Sequence, residues 1–152
     1  MSVLERAPVP VVPDAARVVI DFLRAQPELA QPLGGRIYSE LPGSVAWPAV
    51  RITRWGGWAA INGPFWLDEA MCQVDTWGGP KAHTSELARL QRSLIGYRLA
   101  AERADVVSGV RLGYMADAPD QSYTPAKPHF RFDIVVMVHP PREPAAPARA
   151  NP

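Results

Sequence analysis

The sequence predicts an α+β domain in which two helices pack on one face of a mostly antiparallel sheet, in the order α-β-β-β-α-β-β. Two stretches repeat apolar residues at three-to-four spacing, and others alternate with a period of two. Glycine and proline signals separate these segments at distances suited to hairpins. With 152 residues, 47% of them hydrophobic, the chain is long enough for one buried core and needs no disulfide scaffold. Residues 1–139 form the domain, and the Pro/Ala-rich 140–152 is expected to be disordered, because it lacks the large apolar residues that offset ordering entropy.

The opening PVPVVP is extended, since proline removes a backbone donor and restrains its predecessor. Asp14 then caps a helix whose apolar face is Ala15, Val18, Val19, Phe22 and Leu23, with Arg17, Asp21 and Arg24 opposite and Pro27 as the stop. A short strand is expected over Arg36 to Ser39. A second follows in AVRITRWGG, where Val50 and Ile52 alternate with Arg51, Thr53 and Trp55. WAAINGPF, Trp58 to Phe65, is expected to be a connection or irregular hairpin tip turning at Asn62-Gly63-Pro64. Glu69 to Trp77 is the third strand, with Ala70, Cys72, Val74 and Thr76 toward the core and Met71, Gln73, Asp75 and Trp77 away from it.

Gly78-Gly79-Pro80 ends that strand, and a long helix runs from about Ala82 to Ala100 through Leu87, Leu90, Leu94 and Ile95. Thr84 or Ser85 can cap it, unless it begins nearer Pro80. Strands at Val106 to Met115 and Phe130 to Val138 close the domain, joined by the turn-rich ADAPDQSYTPAKP; loops this long tend to be functional or mobile.

A formal net charge of +1 gives no global attraction to nucleic acid or anionic membrane. The single cysteine excludes an internal disulfide. The N-terminus lacks the pattern of a signal peptide, and no apolar run approaches the roughly 20 residues of a membrane span. Synthesis in a cytoplasm is the expectation.

Cys72, Asp75 and His83 lie close enough in sequence to suggest a catalytic set. Residues three apart on a strand face opposite ways, however, so Cys72 and Asp75 do not share a pocket without a bulge. Cys72 is expected to be buried and His83 solvated. His129 and His139 sit ten apart at the two ends of one strand, too far to share an ion, and are expected at the surface. PLGGR, RWGGW and TWGGPK lack the spacing of a phosphate cradle. The expectation is therefore no enzyme, no cofactor and no metal site. The five tryptophans fit either local core under long loops or a subunit interface, where Trp and Arg are enriched.

The phrase QVDTWGG, followed at once by a leucine-rich amphipathic helix, resembles the tail terminator proteins of long-tailed, siphovirus-type bacteriophages. The matching pieces are Asp14 to Ala25, Pro48 to Arg54, Gln73 to Trp77, Leu87 to Ile95 and the strands ending at Val138. The resemblance implies a virion structural protein assembled in the host cytoplasm. It would be a ring, usually a homohexamer, that caps the tail tube, stops its polymerisation and joins the head connector. The implied partners are other copies of the chain, the major tail tube protein and the connector or neck protein, with DNA only as cargo through the ring and no membrane. The family supplies no catalytic residue or cofactor. Trp58, Phe65 and Trp66 are expected at subunit or tube contacts, because a glycine-flanked aromatic segment outside the sheet pattern has little other reason to carry so much apolar surface. A head-completion or neck protein is the alternative within the same virion. A small ligand-binding or hydrolytic α+β domain is the alternative of a different class.

Overall fold

The computed structural model describes residues 9–62 and 65–141. Helix α1 (Ala15–Arg24) starts where expected: the Asp14 carboxylate accepts from the backbone N–H of Ala16 and Arg17 at 3.0 and 3.3 Å. Its apolar face is fully buried. The run ends before Pro27 as expected, and Pro27 itself stands at the first position of an unexpected second helix, α2 (Pro27–Leu33), where a missing N–H costs nothing. Gly34, left-handed at φ 52°, closes α2 and turns the chain into the short strand β1 (Ile37–Tyr38).

Strands β2 (Ala49–Asn62) and β3 (Phe65–Trp77) form one long antiparallel hairpin, paired from Ala49↔Trp77 to Asn62↔Phe65. This corrects the expected connection at Trp58 to Phe65, because the ladder continues through it. The Asn62-Gly63-Pro64 turn itself falls partly outside the described residues. Trp58 and Trp66 are thus strand residues. A bulge between Arg54 and Gly56 breaks the period-two phase, which is why the pattern looked irregular there. Gly57 is required at that point: a Cβ on it would stand 2.0 Å from the Glu69 carbonyl oxygen.

Helix α3 (Lys81–Leu94) continues through a π-helical turn (Ile95–Leu99) into α4 (Ala100–Glu102). It begins after Pro80, so Thr84 is not its cap. Instead the buried Thr84 hydroxyl bonds back to the Gly78 and Pro80 carbonyls, tying the helix start to the end of β3. β4 (Val107–Asp117) and β5 (His129–Val138) complete the sheet.

The sheet order is β1-β2-β3-β5-β4, with every pair antiparallel except β1 and β2. The α+β class therefore stands, while the sheet is mixed and the predicted element order lacked α2. α1 packs against β1, β2 and β3, and α3 against β3 and β5. They cover the face carrying Val50, Ile52, Ala70, Cys72, Val74, Phe132, Ile134 and Val136, all buried. Alternation along β3 and β5 sends Gln73, Asp75, Trp77, His129, Arg131 and Asp133 to the opposite face.

Candidate interaction surfaces

Asp75 lies on that second face and is 1% exposed. His129, opposite Trp77 in the ladder between β3 and β5, reaches it: Nε2 stands 2.7 Å from Oδ1. Gln73 Nε2 donates to the same carboxylate at 3.0 Å, and Arg51 approaches at 3.4 Å. Burial raises the Asp75 pKa, but the hydrogen bonds from His129 and Gln73 and the charges of His129 and Arg51 together hold it below the usual carboxylate range. The other imidazole nitrogen, Nδ1, is 2.7 Å from the Ala118 carbonyl oxygen. His129 thus has no ring nitrogen free to take a proton from a third group, and the arrangement works as a cross-link between β3, β5 and the start of the 118–128 loop.

Aromatic rings build the rest of this cluster. Trp77 stacks on His129 with ring centroids 4.7 Å apart, and its Nε1–H donates to Asp120 at 2.9 Å. Trp47 meets Trp77 and, edge to face, Tyr123, while the Lys127 ammonium lies 4.5 Å from the Trp47 ring centroid. The long loop is therefore pinned on the open face by its own side chains. His129 and His139 are both expected at the surface, but the loop and Trp77 leave the His129 side chain only 11% exposed. His139 is buried, with Nδ1 beside the Pro140 carbonyl. The one available signal was that Asp75 and His129 are each out of phase with their strand's apolar set. Their meeting depends on the β3–β5 register.

Cys72 lies on the other face of β3, fully buried, and burial pushes its thiol up to about 12. His83 is exposed. The structure therefore separates Cys72, Asp75 and His83. Among the described residues no three His, Cys, Asp or Glu side chains are grouped to hold a metal ion. Among the described residues no helix is long and apolar enough to cross a membrane. A shallow depression of about 410 Å³ lies beside β2, lined by Ser39, Glu40, Leu41, Arg51, Thr53, Trp55 and Gln73.

The hairpin's far end is different in kind. β5 pairs with β3 only as far as Asp68↔Val138, so the last residues of β2 and the first of β3 project past the sheet. At about 3.3 Å per residue the arm extends roughly 10 Å. Ile61 on it is 67% exposed, while Trp58, just inside the sheet where its partner Glu69 still pairs with Met137 of β5, is 65% exposed, and Trp55 is also exposed. Trp66 is half-buried, and the Phe65 side chain lies outside the described residues. At the root, Arg54 and Asp68 form a two-bond ion pair at 2.5 and 2.8 Å that ties β2 to β3.

No family model matches this chain. No curated protein matches it in sequence either. Among solved structures, it is similar to a chain from the virion of a native gene transfer agent particle, with TM-score 0.55 and 14% identity over 82% of this chain and 95% of that one. At that identity the likeness is one of fold.

Proposed function

We propose that this chain is a non-enzymatic structural protein of a tailed, phage-type particle: a tail terminator whose ring caps the tail tube and offers a joining surface to the head connector. The observation that carries this reading is the projecting hairpin arm. A strand pair that leaves the sheet with Ile61 exposed, and with Trp58 exposed on the open face at its root, carries apolar surface of a kind suited to a protein contact. The likeness of fold to a virion chain of a gene transfer agent particle supports it, as does the Gln73 to Gly79 phrase leading into α3. The closed Asp75–His129 pair favours a structural role over a hydrolytic one. Partners on this reading are other copies of the chain, the tube protein and the connector, with DNA passing through the ring; the site of action is the neck end of the virion tail.

The test is assembly. Particles made without this chain should carry tails of irregular or excessive length that fail to join heads. Replacing Trp58, Phe65 and Trp66 together with serine should reproduce that defect, with circular dichroism confirming that the fold survives. Tails of normal length that merely stay unjoined would point to a neck protein. Normal infectious particles would reject both readings.

A further inference from the structure

Among the described residues both edges of the sheet are largely open. β1 pairs with β2 only at Val50 and Arg51, and no backbone-to-backbone hydrogen bond beyond those to β3 reaches residues 53–62, although Arg54 Nε donates to the Gly56 carbonyl at 3.1 Å. At the other side β4 pairs with β5 alone along its length. The two open spans are of similar length, and neither contains the proline or lysine with which sheet edges are commonly blunted. Their arginines are already engaged within the sheet, Arg54 by Asp68 and Arg111 toward Glu69 at 3.7 Å.

We infer that the open β2 edge of one copy pairs antiparallel with the β4 edge of the next, so that the sheet continues from subunit to subunit. Polarity favours this occupant. Three antiparallel steps separate β2 from β4, so the two edges run in opposite directions. A second copy set alongside in the same orientation therefore presents its β4 antiparallel to this β2, with both sets of helices on one side. The two patches differ, which makes the contact heterologous and able to close into a ring.

Register supports the match. Past its bulge, β2 is regular from Gly56. Between its own two bulges, β4 is regular over residues 109–112. Followed across the sheet, Gly56, Gly57 and Trp58 stand level with Arg111, Val110 and Gly109. Trp58 and Gly109 both belong to the face away from the helices, since their partners are Glu69 and Met137. The exposed indole of one copy thus meets a position without a side chain in the next. Met137 Sδ lies 3.4 Å from where a Gly109 Cβ would stand, so the ring would rest on a thioether.

This pairing deepens the ring reading and rests on it, and cysteine cross-linking tests the two separately. Ala59→Cys and Ser108→Cys place thiols on the exposed β2 and β4 edges, while the buried Cys72 stays silent. Treated with a short bismaleimide, in concentrated solution and in assembled particles, the double variant should give a ladder of multimers. Each single variant alone should give none, and a mixture of the two singles should give dimers only. Trp58→Ser in the double variant should cut ladder formation at least about tenfold. Dimers from either single variant alone would show two-fold pairing and overturn the proposal, as would a double variant that gives no ladder in either setting. If particles contain and require the chain yet yield no ladder, the edge pairing fails while the terminator reading stands. If the ladder forms but loss of the chain leaves particles normal, the terminator reading fails and the edge pairing stands.

Discussion

The base and the tip of the β2–β3 hairpin share one continuous ladder but not one environment. At the base, Ile52 and Val74 lie under α1 and α3, while Asp75 and Trp77 on the reverse face lie under the 118–128 loop and its aromatic cluster. Toward the tip, among the described residues, Trp58 and Ile61 leave most of their surface exposed. The same backbone geometry thus serves stability at one end, and at the other it leaves apolar area for a second molecule. Strand pairing alone does not say what a residue is for; what covers it does.

The largest effects should fall at the base. Ile52→Ala removes a fully buried side chain and should cost about 2–5 kcal/mol in urea unfolding, since a cavity adds to the lost transfer energy. Cys72, beside it on the next strand, should resist thiol reagents in the native protein and react fully in denaturant, because burial keeps its thiol protonated. Labelling at the rate of a free thiol under native conditions would show that the base is not closed.

A smaller loss is expected from Asp75→Asn, about 1–3 kcal/mol at pH 7, because His129 and Arg51 lose a charged acceptor. The pH dependence has a definite sign. The folded Asp75 carboxyl titrates below its unfolded value of about 3.9, so its stabilisation is complete above that pH and disappears as pH falls through the folded value. Unfolding free energies of the two proteins measured between pH 6 and pH 2 should therefore converge on acidification. A gap that stays constant would mean that the carboxylate charge is not what Asp75 contributes.

Toward the tip, Trp58→Ser and Ile61→Ser should each change the unfolding free energy of the isolated chain by no more than about 0.5 kcal/mol. A loss comparable to Ile52→Ala would mean that the arm folds back on its own domain, and the contrast between base and tip would collapse.

Much of the base was legible in the sequence. The Asp14 cap, the α1 face and the alternation that buries Ala70, Cys72 and Val74 follow from local periodicity, and the structure repeats them. From sequence the tip reads as a loop because glycines and a bulge at Arg54/Gly56 break the alternation that identifies a strand, yet the ladder runs through it. Pro27 marks the stop of α1 because proline blocks a helix interior, but it equally suits a helix start, and local pattern alone does not reveal the α2 that follows.

The sequence by itself determined the α+β class, the buried face of each main element and the separation of Cys72 from Asp75, because all three depend on side-chain period along a single segment. Only the tertiary structure decided that Asp75 meets His129 and that the loop beyond β4 closes over both. It alone also revealed that the β2–β3 hairpin outruns the sheet. Those outcomes depend on the register of β3 against β5 and on where β5 stops. Both are set by packing between segments distant in the chain, and no local pattern of residues encodes either.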